Sequence, residues 1–442
     1  MKANAVICGA GIAGVATAYQ LSVVMGMDGV VLVDPRPPLT LTSDKSTECY
    51  RNWWPNAPMV SLMNRSIDLL EDMADQSANS FHLTRQGYLY VTADPDRLQR
   101  LRDNARRSSD FGAGPVRVHP GPNPYERGAR LEGADVFLDG DELRTHYPFL
   151  TEEAIGGVHA RRAGWYSAQQ LGAWMLERAR DRGLRLLNAE VTDVPSRGER
   201  ISRVIIDGET DITTPVFVDA AGPMLAGVGQ MIGVELPVFS EVHIKVAFRD
   251  RLGVIHRDSP MVIWSDPQVL SWSAEEATAL KAEGREDLLG EMPAACHYRP
   301  EGGPGSDWVV ALWEYHRLIQ EPVWPLPEDP IYPEAVIKGL TTMVPELAAY
   351  HQRLPQPVVD GGYYTKTREN RPLVGPLPVE GAFVVGAFSG FGVMAAPAAG
   401  ELAAKHITGD VLPDYADAFS LDRYQDPAYQ AEISSIVDTG QI

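Results

Sequence analysis

Gly9, Gly11 and Gly14 stand at the spacing G-x-G-x-x-G in VICGAGIAGVATAYQL, and Asp34 follows Gly14 by 20 residues. The first glycine permits a tight turn, the second lets a pyrophosphate approach the backbone, and the third lets a helix pack closely on a strand. The helix N-terminus behind them faces an anion. A carboxylate at the end of the next strand can accept hydrogen bonds from ribose hydroxyls, and it disfavours the extra 2′-phosphate of NADP. Two further stretches carry costly side chains. STECYRNWW (46–54) holds Arg51 beside Trp53 and Trp54, and the glycine-rich run GAFSGFGVMAAPAAGELAA begins at Gly386.

These residues need elements to position them. The sequence predicts a strand over 5–8, a glycine turn, a helix to about Val24 and a strand over 30–33 ending at Asp34, which is one βαβ unit. A helix follows from Met59 to Met73, then a strand in QGYLYVTADPD (86–96). The charged run DRLQRLRDNARRSSD reads as an amphipathic helix whose arginines form a solvated face, and the Pro/Gly-rich stretch 114–128 reads as a loop. Residues 163–194 give a helix, a turn at Gly183 and a strand, and PVFVDAAGPML (215–225) gives a buried strand and a small-residue turn. Between Pro237 and Trp313 the segments VHIKVAFRD, PMVIWSD, VLSWSAEE and DWVVALWEYH alternate as an antiparallel sheet does. EEATALKAEGREDLLGE interrupts them as a surface excursion, and 381–409 is again strand, glycine turn and helix.

The expected fold is therefore α/β plus α+β. A Rossmann-like dinucleotide-binding domain is assembled from residues 1–90, 146–236 and 355–442, and an antiparallel-sheet substrate domain from 91–145 and 237–354. A chain of 442 residues is long enough for two cores. With 59 acidic against 39 basic residues, its formal charge of -20 repels phosphate backbones and anionic lipids, which argues against nucleic-acid or membrane partners. Three scattered cysteines, Cys8, Cys49 and Cys296, make neither a disulfide framework nor a zinc site. The apolar start is read as structure and not as a signal peptide, so a cytoplasmic location is expected; no run reaches a membrane-spanning length.

NAD and FAD both satisfy the first fingerprint. A second glycine-rich strand-to-helix turn favours FAD, because a helix N-terminus near the pyrimidine end supports negative charge on a reduced flavin. With that turn, and with QGYLYV, LDGDELRTHYPFL, AGWYSAQQL, AEVTDV, FVDAAGPM and YYTKTRENRPLVG in order, the chain resembles the D-amino acid oxidase superfamily of FAD-dependent oxidoreductases, on the glycine oxidase and sarcosine oxidase branch. The resemblance runs over nearly the whole length.

It implies a cofactor site formed by Gly9, Gly11, Ile12, Ala13 and Gly14, by Asp34, Pro35 and Arg36, and by Ser43, Ser46 and Thr47. Val191 would cradle the adenine, Ala221 and Gly222 line the path, and Gly386, Ser389, Gly390, Phe391, Gly392, Val393 and Met394 sit at the pyrimidine end. Sarcosine oxidases tether their flavin through a cysteine just before a Tyr-Thr pair; matching Tyr364 and Thr365 puts Gly362 there, so non-covalent FAD is expected. Their carboxylate-binding lysine falls at Met394, and the arginine of glycine oxidase falls at Tyr364. A lysine held over the flavin for reaction with oxygen is absent from WVVALWEYH, so an acceptor other than oxygen is open. One anchor remains, because matching Thr47 places Arg51 where an arginine clamps the substrate carboxylate, a task that suits a planar fork.

The reaction implied is removal of a hydride from a carbon bearing nitrogen, passed to flavin N5, leaving an imine that water hydrolyses, with the flavin reoxidised by O2 or another acceptor. Arg51, Tyr364 and His297 are the candidate catalytic residues, and Tyr298 is a further hydrogen-bonding candidate. Arg51, Trp53, Trp54, Tyr364 and Met394 are the candidate substrate residues, with Trp264, Trp272 or Trp313 as added aromatic lining. Two alternatives stay open: a same-fold enzyme oxidising a C–O bond of a 2-hydroxy acid or glycerol phosphate, and a flavin-binding electron-transfer subunit without its own substrate. Substrate, chirality and oligomeric state are not specified by the sequence.

Overall fold

The computed structural model describes residues 1–122, 124–197, 200–303, 305–315 and 318–436. Its first sheet has six strands in the order Leu373–Pro376, Ala382–Gly386, Phe217–Asp219, Ala5–Cys8, Val30–Asp34 and Arg185–Asn188. All neighbours run parallel except the first pair. Alternation along AVIC explains how it is covered. Ala5 and Ile7 face a core shared with the helices Ile12–Tyr19, Ala57–Gln76, Ala168–Asp181 and Gly392–Thr408, whereas Val6 and Cys8 face a second core. That second core is closed by the three-stranded sheet Val191–Asp193, Arg203–Ile206 and Thr210–Thr213. Both faces are buried at the inner strands, as a parallel sheet requires, and AVIC and VVLV accordingly read as continuous apolar runs.

The second sheet is larger and mostly antiparallel, with parallel pairing of Met261–Trp264 to Tyr88–Thr92 and of Val116–His119 to Ala134–Phe137. Its long seam is Phe239–Arg249 against Val358–Lys366, from Phe239 opposite Lys366 to Ala247 opposite Val358. The helix Tyr332–Met343 packs on this sheet to form a separate core. Both sheets expected from the sequence are present, each with its own buried core, the Rossmann-like unit being discontinuous and the sheet-rich part inserted in it.

Sheet membership does not follow the expected boundaries. Tyr88–Thr92, Gly156–Ala160 and Val358–Lys366 all hydrogen-bond into the large sheet, so divisions at 90, 146 and 355 cut through or around its strands. Short strands of period two carry no local mark of which sheet they will join. Two other expectations are corrected. Only Val269 of VLSWSAEE is in a strand, the two-residue Gln268–Val269, and the stretch then enters a helix, Ala274–Ala282, whose N-terminus carries a capping box between Ser273 and Glu276. Val116–His119, inside the expected loop, is a strand, and the last residue of the expected strand WVVALWEYH, His316, lies outside the described residues. Among the described residues no helix is long and apolar enough to cross a membrane.

Candidate active site

The first cavity begins at the glycine turn. Gly9 has φ +104°, and a Cβ there would fall 2.4 Å from the Ala220 carbonyl oxygen. A Cβ on Gly14 would fall 1.9 Å from the Gly9 carbonyl oxygen, which is the close helix-to-strand packing the third glycine makes possible. The Asp34 carboxylate accepts the Ala10 N–H through Oδ2 and the Arg36 N–H through Oδ1, both at 2.8 Å, and so pins the turn to the next strand. Ser43 Oγ accepts the Ile12 N–H at 2.9 Å. No acidic residue stands in the first turn of the helix, whose remaining N–H groups and positive end are available to an anion.

The second glycine-rich turn ends at another such helix. Ala387 and Ser389 take left-handed φ of +57° and +51°, which directs the chain from the strand Ala382–Gly386 into the helix Gly392–Thr408. That helix too lacks a side-chain cap and an acidic first turn. Both helix N-termini open onto one cavity of about 890 Å3 of atom-free space, its open solvent face included. Of the expected cofactor residues, Gly9, Gly11, Ile12, Ala13, Asp34, Arg36, Ser43 and Ser46 line it from one end. Ala221 and Gly222 line its middle, and Gly386, Ser389, Gly390, Gly392 and Val393 line the other end. Two helix N-termini without an acidic first turn, with a carboxylate beyond one of them, fit the pyrophosphate, ribose and pyrimidine of FAD.

Several expected residues take other places. Gly14 acts through packing, the Pro35 carbonyl accepts from Asn188 at 3.0 Å, and the Thr47 carbonyl accepts from Arg299 Nε at 2.8 Å. Val191 is buried in the second core, although Ala189 N–H bonds the Asp34 carbonyl and keeps that turn beside the cavity. Met394 and Phe391 are corrected: a helix begun at Gly392 turns Met394 into the core, and the Phe391 ring packs edge-on against Trp54 with centroids 4.9 Å apart.

Arg51, Trp53 and Trp54 line a second cavity, with Tyr90, Ile263, Ser265, Glu314 and one face of the helix Pro95–Ser108. The strand Cys49–Arg51 is fixed by pairing with Ala163–Trp165. The buried Arg51 guanidinium lies 4.3 Å from the centre of the Trp54 ring and donates to the Trp53 carbonyl. Trp53 meets Tyr90 edge-on at 4.6 Å. Arg97 and Arg107 also border this cavity; Arg97 is half-buried, which departs from the solvated-face reading, whereas Arg107 is exposed and keeps it.

A short chain of contacts joins the cavities. Tyr364 lines the first, lies against Gly390 and stacks on His243 at 3.7 Å and 15°. His243 Nδ1 is 3.3 Å from Glu314, which lines the second cavity, and Nε2 is 3.3 Å from Glu241. Burial opposes a charged His243, but the carboxylates of Glu314 and Glu241 outweigh it and raise its pKa. Burial likewise opposes the Glu241 carboxylate, yet His243 and Lys366, the latter at 2.6 Å, lower it to about 2. Lys245, on the same strand face, donates to the Ser46 carbonyl at 2.8 Å, and burial lowers its pKa against the pull of Asp360 and Glu48. Sequence reasoning missed Glu241, His243, Lys245 and Glu314. The signal for the first three was their spacing of two along FSEVHIKVAFR, which sets three ionisable groups on one strand face.

His297 is corrected as a catalytic candidate. It is buried, its Nδ1 bonds the Ala295 carbonyl at 2.8 Å, burial lowers its pKa, and it lines neither cavity. Tyr298, Trp264 and Trp313 belong to the large-sheet core, and Trp272 packs at its edge. Cys8, Cys49 and Cys296 are buried with thiol pKa values pushed up by burial, and none lines the first cavity. Gly362 pairs with His243 and sits against Thr42.

A family model described as "DAO: FAD dependent oxidoreductase" matches residues 4–406. No curated protein sequence matches. Among solved structures, the chain is similar to L-proline dehydrogenase from P. horikoshii, with 20% identity, a TM-score of 0.74 and coverage of 99% of each chain. It is also similar to glycine oxidase from Geobacillus kaustophilus, with 16% identity, a TM-score of 0.74 and coverage of 95% of this chain and 98% of that one. For L-amino acid deaminase from Proteus vulgaris, with its specific insertion sequence deleted, the values are 17%, 0.70, 95% and 93%. At these identities the likeness establishes the fold.

Proposed function

The chain belongs to the DAO family of FAD-dependent oxidoreductases, and from that premise we propose that it oxidises the C–N bond of an amino acid or N-substituted amino acid. The observation that carries the proposal is the joining of the two cavities: one receives an anionic dinucleotide on two helix N-termini, the other offers Arg51 among aromatic rings, and Tyr364, His243 and Glu314 connect them. When bound, FAD supplies the hydride acceptor, and the oxidised carbon-nitrogen bond is then open to hydrolysis.

The residues of the chain do the rest. Arg51 holds the substrate carboxylate by a bidentate charge-assisted pair, and Trp54 beneath the guanidinium keeps the fork in place. Trp53, Trp54 and Tyr90 exclude water and set the angle at which the amine-bearing carbon is presented. Glu314 is the acidic group of that wall among its described residues, so it faces the substrate ammonium and can take its proton, with His243 behind it balancing the charge. FAD is held without a covalent bond, as the absence of all three buried cysteines from the cavity lining supports. The structures named proline dehydrogenase, glycine oxidase and amino acid deaminase all act on a carbon bearing nitrogen, which favours the same bond here.

Anaerobic titration of the flavin-loaded protein with amino acids, N-alkyl amino acids and 2-hydroxy acids tests this. Bleaching of the flavin by members of the first two groups is expected. Bleaching by hydroxy acids alone would move the reaction to a C–O bond, and no bleaching by any of them would remove the enzymatic reading. Peroxide release in air, set against dye reduction, identifies the acceptor. Acid precipitation should release the yellow colour into the supernatant.

A further inference from the structure

The outer part of the second cavity is bordered by the helix Pro95–Ser108, whose residues Arg97, Leu101, Asn104 and Ser108 fall at helical spacing on the lining face, with Arg107 beside them. Leu101 packs inward and the Asn104 carbonyl accepts the Trp53 Nε1–H at 3.2 Å, so the helix is anchored directly to the substrate wall. Arg97 and Arg107 have no acidic partner and no side-chain hydrogen bond among the described residues, in a chain with 59 acidic against 39 basic residues, where surface carboxylates are abundant. Of the other arginines of this helix, Arg100 lies 3.9 Å from Asp94 and Arg106 3.7 Å from Asp103, while Arg102, which does not border the cavity, has no acidic partner among the described residues. A second observation points the same way. Ser265 is 8% exposed, lines the same cavity, and its buried Oγ has no hydrogen-bond partner; Arg97 Nε is likewise buried and unpartnered.

From this we infer that the cavity holds a second anion subsite, so that the preferred substrate carries an acidic group besides the carboxylate met by Arg51. The inference rests on the reading of Arg51 as the first anchor. Over the ten residues from Arg97 to Arg107 an α-helix rises about 15 Å, so the cationic border is long and suits a substrate larger than glycine. The substrate class is an amino acid with an acidic side chain, or one whose amine bears an acidic alkyl group. The acid is a carboxylate or a phosphate-like group, since guanidinium recognises both. An uncharged or cationic side chain would leave the buried Arg97 Nε and Ser265 Oγ unsatisfied beside it.

The test uses inert acids and so does not depend on turnover. Flavin-loaded protein is titrated calorimetrically with the diacids from malonate to adipate, with the half-amide of each, and with the corresponding phosphono-carboxylates. The best dianion should bind about tenfold tighter than its half-amide, as one charge-assisted pair predicts; the tighter of the carboxylate and phosphonate series identifies the anion. Joint Arg97→Gln and Arg107→Gln substitution should remove that advantage while leaving half-amide affinity and flavin content unchanged. Equal affinity for diacid and half-amide, no binding by either, or an advantage that survives the double substitution would overturn the subsite. If dianions bind selectively but no amino acid bleaches the flavin, the subsite stands and the C–N reading falls. If amino acids bleach it while dianions show no advantage, the reverse holds.

Discussion

The wall of the first cavity is largely backbone: glycine turns at Gly9 and Gly390, two helix N-termini, and the strand ends at Asp34 and Gly386. The wall of the second is side chains drawn from at least six separated stretches, from Arg51 to Glu314. A backbone site depends on conformation, which a spacing of glycines dictates within a few residues. A side-chain site depends on which strand lies beside which, and that is decided by pairing across hundreds of residues. The two should therefore fail in different ways when altered.

The largest effect is expected at Gly14. In Gly14→Ala the Cβ would press on the Gly9 carbonyl oxygen, a backbone atom that cannot turn aside, so the purified protein should lack 450-nm flavin absorbance and unfold with a loss of about 3 kcal/mol. Gly390→Ala meets the Tyr364 ring instead and should retain most of its flavin. Equal losses from the two substitutions would erase the distinction between a rigid and an adaptable wall. The contrast also accounts for what the sequence made legible. Gly9, Gly14 and Asp34 declare themselves because their partners are near in the βαβ unit. Arg51 was found only through its match to a family pattern. His243 and Glu314 were missed because they are far apart in sequence and meet only through strand pairing, and Arg97 was assigned to solvent because the charged face of an amphipathic helix ordinarily points there. His297 was chosen for its type; it shares a sheet face with Ile263 but is buried against the Ala295 carbonyl and lines neither cavity.

Next in size is the converse alteration. Arg51→Lys keeps the charge but loses the planar fork, and should lower kcat/KM about 100-fold, or roughly 2.7 kcal/mol, with flavin content unchanged. Loss of flavin along with activity would mean that the two cavities do not stand on separate supports.

Acid and alkaline stability sharpen the comparison in opposite directions. His159, in the strand Gly156–Ala160 of the large sheet, accepts from Tyr125 at 2.8 Å and is held to a pKa of about 3 by burial and by Arg161. Its folded value lies below the unfolded one, so stability is intact above about pH 6.5 and falls toward pH 3, by at most about 1.4 kcal/mol per pH unit for one group. His243 is the reverse case. Its raised value means that its contribution is fully present below about pH 6.5 and is lost as pH rises through the folded value. Urea denaturation across pH should show His159→Gln flattening the acid limb and His243→Gln the alkaline limb; an unchanged limb in either variant would refute that assignment.

The smallest expected effect is Ser43→Ala. Removing the acceptor of the Ile12 N–H should cost about 1 kcal/mol of stability, read as a lower urea midpoint, and should weaken flavin binding only a few-fold because the turn glycines remain. A complete loss of flavin would show that the first cavity depends on a side chain after all.

The stack of Tyr364 on His243, with Glu314 at its far side, has a thermodynamic consequence. One contact chain has an end in each cavity, so occupancy of either end biases the same few side chains. Linkage then requires reciprocity: whatever factor the cofactor contributes to the affinity of an inert acid, that acid must return to the affinity of the cofactor. Slow escape of flavin in the presence of a well-fitting acid, and fast escape in its absence, would make cofactor retention a gauge of how well any candidate substrate fits.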